Sequence, residues 1–158
     1  DQVVCGDAMP DCSGTFGINM DYRGIFLNMS FYYQFGGQTY NQTLVDRVEN
    51  ANVGLNVDKR IYNAVWKKPG DRVDFSYNPY RLTKPSSRFV QDLNELRLSS
   101  LNVGYDFRHC AFLKKSRLQQ LKASFYMDDV FRASTVKTER GLTYPFARTF
   151  SFSLQATF

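Results

Sequence analysis

The chain has 158 residues, of which 43% are hydrophobic and 16% aromatic, and its formal net charge is +5. This length and apolar content suit a folded domain, and its apolar runs are too short for a membrane-spanning helix, so disordered and helical membrane proteins are excluded. The basic residues are scattered and lack the Gly-aromatic pattern of an RNA-binding strand, so we expect no nucleic-acid partner. Residues 1–9 carry neither a basic start nor an apolar run, and we expect no signal peptide there.

The first segment contains two of the three cysteines, Cys5 and Cys12. They flank Gly6 and Pro10 in a turn-like stretch, so they either close a small disulfide in an oxidising compartment or remain unpaired thiols. The third, Cys110, lies beside the single histidine, and two adjacent ligands do not make a zinc site. We therefore expect no metal and no cofactor.

Alternation with a period of two predicts a hairpin in the next part of the chain. Apolar side chains occupy the even positions of residues 15–23 and the odd positions of residues 25–35. The two runs meet at Gly24, which is typical of a tight turn between antiparallel strands. The polar positions of these two strands include Asn19, Asp21, Asn28, Ser30 and Gln34.

A long connection, residues 36–94, follows the second predicted strand. Its middle predicts a short helix, because Val57, Ile61 and Val65 recur four residues apart and Pro69-Gly70 then ends the pattern. Connections of this length are uncommon in compact domains and are usually functional.

The third predicted strand, residues 95–107, contains a change of parity. Leu96 and Leu98 share one parity, whereas the apolar residues from Leu101 onward share the other. A β-bulge at Ser99-Ser100 would insert one residue and keep the same face apolar. The polar positions of this strand include Asn102 and Asp106.

Two further strands are predicted at residues 121–131 and 149–158, after connections 108–120 and 132–148. The polar positions of the fourth strand include Lys122, Ser124 and Asp128. The last strand alternates without error, and its apolar stripe consists of Phe150, Phe152, Leu154, Ala156 and Phe158.

The length of the strands favours a membrane barrel. They span roughly 9–13 residues, close to the 9–11 that cross a bilayer and longer than the 5–6 common in soluble sheets. Aromatic residues such as Tyr22, Tyr33 and Phe107 lie near strand ends, as in the aromatic girdles of such barrels. The stripe that ends on Phe158 resembles the signal recognised by the barrel-assembly machinery. The alternative is a soluble secreted β-domain that binds glycan or protein.

Short motifs occur in a fixed order over nearly the whole chain. They are Gly6-Asp7, Pro10-Asp11, Tyr22-Arg23-Gly24, Tyr33-Gln34-Phe35-Gly36-Gly37, Trp66 with Pro69-Gly70-Asp71, Ser86-Ser87-Arg88-Phe89-Val90-Gln91-Asp92, Leu96-Arg97-Leu98, Gly104-Tyr105, Tyr144-Pro145 and Arg148-Thr149. In this order they resemble the C-terminal part of the SusC/RagA family, the TonB-dependent outer-membrane transporters of Bacteroidota. The chain departs from the family at Asp129-Val130-Phe131, where Asn-Leu-Phe is usual, and in the shortened connection that follows.

The resemblance implies an all-β fold: the last five or so strands of a 22-stranded antiparallel transmembrane barrel. It also implies active import of nutrients such as oligosaccharides or peptides, a SusD-like surface lipoprotein as lid, and energy from TonB. The plug domain and the segment that contacts TonB are absent from this chain. Five membrane strands do not close a barrel, so the remaining strands are expected from elsewhere, because an open edge in lipid is costly.

The implied topology assigns roles to the polar and aromatic residues. With Phe158 at the periplasmic rim, the turn at Gly24 is periplasmic, and connections 36–94 and 132–148 are outer loops. The ten polar strand positions named above then line the lumen. The outer-loop candidates for stacking on sugars or for contact with the lid are Trp66, Tyr77, Tyr80, Arg81 and Arg88. Ordinary loop packing is the alternative, which we favour, with Trp66 holding the short helix and Arg88 acting as a structural anchor.

We expect no enzymatic activity. The single histidine, His109, has no Ser or Cys nucleophile motif near it. The adjacent carboxylates Asp128 and Asp129 point to opposite faces of a strand and cannot share one substrate bond. Gly36-Gly37 lacks the lysine and the following helix of a phosphate-binding loop.

Overall fold

The computed structural model describes residues 3–52, 54–76, 82–110, 113, 118–137 and 148–158. In these ranges, five strands form one antiparallel sheet in which each strand neighbours the next in the chain. The strands are β1 (Cys12–Tyr22), β2 (Ile25–Tyr40), β3 (Val90–Asp106), β4 (Gln120–Ser134) and β5 (Phe150–Thr157). The predicted all-β antiparallel architecture is confirmed at this level. β2 and β3 extend further into the long connection than the alternation indicated, which shortens it to residues 41–89.

The predicted hairpin at Gly24 is present. Tyr22 lies opposite Ile25, so only Arg23 and Gly24 form the turn between β1 and β2. Their φ angles are 49° and 90°, and two consecutive positive values are the signature of a type I′ turn. A Cβ atom on Gly24 would lie 2.6 Å from the carbonyl oxygen of Asp106, so this position also requires glycine for space.

The predicted irregularity between β3 and β4 is also present, with one correction. Leu98 lies opposite Phe131 and Ser100 opposite Asp128, so β4 spans this stretch with one residue more than β3. The extra residue therefore belongs to β4, not to β3 as the parity of the leucines indicated. Asp129 has a φ of 49°, and its short polar side chain tolerates this left-handed conformation better than most.

The chain divides into two compact units. The sheet unit consists of residues 11–35, 94–134 and 147–158, and the loop unit consists of residues 1–10, 36–93 and 135–146. The strands of the sheet unit are long and its side chains alternate between two faces. The loop unit contains the described helices of the long connection.

The loop unit has a small hydrophobic core. Helix α1 (Gln42–Leu44) runs into a π-helical turn (Val45–Glu49), followed by helix α2 (Ile61–Ala64) and a 3₁₀ turn (Ser87–Phe89). The buried cluster consists of Leu44, Val45, Val48, Val65 and Phe89, with Tyr40, Ile61 and Phe75 packed against it. The helix predicted in this region is present but shorter than the pattern implied, and the helical segment 42–49 was not predicted.

The two ends of the long connection are bonded to each other. The backbone N–H of Asn41 donates to the carbonyl oxygen of Phe89 at 2.8 Å. The Asn41 side chain donates to Gln91 at 2.9 Å and also accepts a bond from the backbone N–H of Leu44, which caps α1. The connection therefore begins and ends at one point.

The sheet unit places large apolar side chains on its surface. On β1 and β5, one face exposes Phe16, Ile18, Met20, Tyr22, Phe150, Phe152 and Leu154. Rings stack across the strands on this face, for example Phe16 on Phe31 with centroids 4.8 Å apart. None of the helices in the described ranges is long and apolar enough to cross a membrane.

Candidate functional site

The polar face of the sheet unit contains a cavity of about 350 Å³. It lies beside the hairpin turn, where the register of β1 with β2 places Asp21 opposite Phe26, and that of β3 with β4 places Asp106 opposite Lys122. The lining residues are Asp21, Gly24, Phe26, Asn28, Asp106, Arg108 and Lys122. Four of the ten polar strand positions selected from the sequence therefore meet in one cavity.

The charges in this cavity fall into two groups. The Asp106 carboxylate accepts hydrogen bonds from the backbone and side chain of Arg108 at 3.0 and 2.9 Å, and from Gln120 at 3.1 Å. The hydrogen bond and the charge of Asp106 raise the pKa of the Arg108 guanidinium. The Lys122 ammonium instead lies 4.2 Å from the centre of the Phe26 ring, and Asp21 supplies a second carboxylate. The cavity thus offers groups of both signs to a polar ligand.

The other six polar positions lie on the strands outside this cavity. Asn19 is opposite Asn28, Ser30 is opposite Gly17, and Ser124 is opposite Gly104. Asn102 is opposite Tyr126, Gln34 accepts a bond from Tyr32 at 2.7 Å, and Asp128 accepts one from Tyr126 at 2.5 Å.

The sequence analysis missed a second polar cluster on the sheet. Arg132 forms an ion pair with Glu95 at 2.6 Å, and the Arg97 guanidinium lies over the Tyr32 ring, 5.2 Å from its centre. The charged residues Glu95 and Arg97 near the start of β3 were the available signal, because charged side chains in a strand of a predicted barrel are expected on its polar face.

The loop unit is held by a buried carboxylate that the sequence analysis also missed. The Glu49 side chain is only 1% exposed and pairs with Arg88 at 2.6 Å. It also accepts bonds from Thr83 at 3.0 Å and from the backbone and hydroxyl of Ser76 at 3.2 Å. Arg88 stacks on Phe89 at 4.9 Å as well, so its contacts are those of a structural anchor.

Asp58 forms a second ion pair in the loop unit. Its carboxylate accepts bonds from the backbone and guanidinium of Arg60, which in turn donates to the carbonyl oxygen of Lys137 at 3.2 Å. Burial raises the pKa of the Asp58 carboxyl, but the hydrogen bonds and charge of Arg60 outweigh it and hold that pKa below its usual value.

The remaining candidates of the long connection have different surroundings. Trp66 is 48% exposed, and Val65 rather than Trp66 supplies the buried side chain after α2. The Trp66 backbone N–H donates to the carbonyl oxygen of Phe75 at 2.9 Å. Three other candidates, Tyr77, Tyr80 and Arg81, lie outside the described residues.

The remaining residues predicted from the sequence are the cysteines and the apolar stripe of the last strand. Cys5 and Cys12 are both exposed free thiols; Cys5 belongs to the loop unit and Cys12 begins β1. The apolar stripe lies along β5, where Phe152 is opposite Phe125 and Leu154 opposite Ala123. No group of three or more residues able to hold a metal ion is found in the part of the chain that the structure describes.

Comparison with known proteins gives one curated relative and several similar structures. No protein-family model matches the chain. The TonB-dependent receptor P3 of Formosa agariphila is 26% identical over an alignment of 179 residues, which covers 100% of this chain and 17% of the receptor. This relative is a receptor, not an enzyme.

The similar structures are those of a peptide importer. The RagAB peptide importer in its open-open state matches with a TM-score of 0.70 and 16% identity, over 98% of this chain and 18% of that chain. Its closed-closed state gives a TM-score of 0.68, and the RagAB peptide transporter gives 0.60 over 84% of this chain. The chain thus spans less than a fifth of the length of these proteins. It is homologous to one part of a TonB-dependent receptor, and its fold is similar to one part of the RagAB importer.

Proposed function

We propose that the protein is part of an outer-membrane active transporter that imports nutrients such as oligosaccharides or peptides. In this role the sheet unit supplies five strands of the wall of a 22-stranded barrel, and the loop unit supplies an outer loop. The remainder of the barrel, its plug and the segment that contacts TonB come from parts not in this chain. The barrel-assembly machinery inserts the protein.

The observation that carries this proposal is the opposite character of the two sheet faces. One face exposes Phe16, Ile18, Phe150 and Phe152, a surface that costs free energy in water but suits hydrocarbon. The other face holds a polar cavity of about 350 Å³. A sheet that is apolar outside and polar inside is the wall of a transmembrane barrel with an aqueous lumen.

The polar cavity then lies in the lumen, beside the periplasmic hairpin turn. Its carboxylate and ammonium groups, Asp21 and Lys122, contact the transported molecule or the plug. The remaining lumen-facing positions are Asn19, Asn28, Ser30, Gln34, Asn102, Asp106, Ser124 and Asp128. Substitutions of lumen residues change selectivity more than stability.

The outer loop contacts a lid. The similarity to the RagAB importer supports a SusD-like lipoprotein as this partner. Trp66 is an exposed aromatic side chain of the loop that can stack on a sugar ring or pack against the lid. Arg88 contributes by holding the loop through Glu49.

Membrane fractionation of the full-length gene product tests the proposal. We expect the protein in the outer-membrane fraction, with release only by detergent, and uptake of its substrate that stops when TonB is deleted. Recovery of a detergent-free soluble protein would instead support a secreted β-domain that binds glycan or protein.

A further inference from the structure

Two arginines face each other across the β3–β4 pair. Arg97 lies directly opposite Arg132 in the register. Side chains in such a pair have Cβ atoms roughly 4.5–5.5 Å apart, and like charges placed there repel. An arrangement of this kind requires negative charge nearby.

One carboxylate balances only one of these two charges. Glu95 is buried and pairs with Arg132 at 2.6 Å. Among the residues that the structure describes, no hydrogen bond or ion pair is recorded for the Arg97 guanidinium. The side chains of Glu95, Arg97 and Arg132 together therefore carry a net charge of +1.

Arg97 is also held in a fixed position. Its guanidinium lies over the Tyr32 ring, 5.2 Å from the centre, and the Tyr32 hydroxyl is fixed by donating to Gln34 at 2.7 Å. The Arg97 Nε atom is buried and lacks a hydrogen-bond partner within the described ranges. A buried guanidinium nitrogen without an acceptor is costly, and a carboxylate is the acceptor whose geometry matches the guanidinium fork.

We propose that Arg97 binds a carboxylate of the transported molecule, so that the transporter prefers acidic ligands. This inference rests on the proposed function, because it requires the polar face to line the lumen. Tyr32 positions the guanidinium, and Glu95 keeps Arg132 occupied so that the ligand carboxylate is directed to Arg97. Arg97 is partly exposed, and the terminal N–H groups of its guanidinium have the fork geometry that matches a carboxylate.

Binding to the full-length receptor in detergent micelles tests this site with two matched pairs of probes. The first pair is an end-capped tetrapeptide containing two glutamates and its glutamine counterpart. The second is a uronic-acid tetrasaccharide and its methyl ester. Within the pair that binds, we expect the acidic member to bind about tenfold more tightly, as for a charge-assisted hydrogen-bonded pair.

Variants of Arg97 test whether the preference for the acidic probe depends on this residue. Arg97→Gln should reduce the ratio of affinities to about one, whereas Arg97→Lys should keep the charge and part of the preference. Arg72→Gln, which removes an exposed arginine of the loop unit, serves as the control and should keep the full preference.

Two results would overturn the inference: an unchanged preference in Arg97→Gln, and absence of binding by all four probes. If the unchanged preference comes with a loss of thermal stability in ligand-free Arg97→Gln, another part of the protein supplies the carboxylate. None of these results touches the proposed function, which membrane fractionation tests separately.

Discussion

The loop unit and the sheet unit place the same kinds of residue in opposite surroundings. In the loop unit Phe89 is completely buried among Leu44, Val48 and Val65, as in a water-soluble protein. In the sheet unit Phe152 is 72% exposed, along with a whole face of aromatic and aliphatic side chains. Hydrophobic burial therefore explains the fold of the loop unit, whereas the exposed face of the sheet unit requires a different surrounding.

The polar groups show the complementary difference. The loop unit buries the Glu49 carboxylate and satisfies it with Arg88, Ser76 and Thr83. The sheet unit instead places Asp21, Asp106, Arg108 and Lys122 around a cavity. Under the proposed function, the loop unit is surrounded by water and the sheet unit separates lipid from a lumen. Four substitutions test this contrast.

Phe89→Ala should cause the largest loss of stability, and this loss should be confined to the loop unit. Removing a fully buried phenylalanine costs about 3–5 kcal/mol in transfer and cavity terms. Hydrogen exchange of the full-length protein should show faster exchange over residues 42–65 and unchanged exchange in β4 and β5. Phe152→Ala is the matched control and should leave exchange in residues 42–65 unaltered; a loss of protection there in both variants would contradict the contrast.

Phe152→Lys tests whether the exposed apolar face of the sheet unit lies against lipid. A lysine on the lipid face costs about 2–4 kcal/mol near the middle of the membrane, so insertion should fail. Its neighbour Ser151 has the opposite facing on β5, and Ser151→Lys should be tolerated. The readout is the amount of each variant in the outer-membrane fraction, and equal amounts would refute the assignment of the faces.

Glu49→Ala should weaken the loop unit through its polar contacts. Loss of a buried, multiply hydrogen-bonded carboxylate costs about 3 kcal/mol, at the low end for a broken pair because Arg88 is half-exposed. Limited proteolysis should then cleave the connection between β2 and β3 more rapidly. The exposed Asp46 of the same helical segment provides the control, and Asp46→Ala should change little. Equal sensitivity of the two variants would show that Glu49 is not the anchor.

Asp58→Asn should have the smallest effect on stability, and this effect should be visible as a change in the pH dependence of the loop unit. Its pKa in the folded protein is below the reference value of 3.8, so its pair with Arg60 stabilises the loop unit above that pH. The contribution is lost as the pH falls below 3.8 through the lowered pKa. Hydrogen-exchange protection near residues 58–64, corrected for the intrinsic exchange rate, should therefore decrease in acid, and Asp58→Asn should remove this component. An identical acid response in wild type and variant would contradict the stabilising role of the Asp58 carboxylate.

The sequence predicted the sheet better than the loop unit, for a physical reason. The predicted stretches of β1 and β5 alternate strictly, because each face meets one kind of surrounding, whereas β2 also places Phe26 and Tyr32 at polar positions. The turn at Gly24 needs a left-handed residue and could be recognised directly. The break in alternation near Ser99 could also be located from the sequence. Which strand carries the extra residue could not be predicted, because the register depends on both strands.

The core and the anchor of the loop unit could not be predicted in the same way. Asn41 followed by Leu44, Val45 and Val48 is a cap before helically spaced apolar residues, and this signal was available. The partners of Glu49 lie 27 to 39 residues further along the chain. A lone glutamate in a helical segment usually faces solvent, so its burial depends on tertiary contacts that the sequence does not reveal.

The bond between Asn41 and Phe89 has a consequence for how the chain folds. Pairing β2 with β3 requires closing a long connection, and the entropy lost in closure grows with the logarithm of its length. Because the loop unit has its own core and ties its two ends together, the contacts of that core offset part of this entropy. Insertions between the two ends would then leave the spacing of β2 and β3 unchanged. Such a segment can diversify in sequence and length while β2 and β3 keep their register.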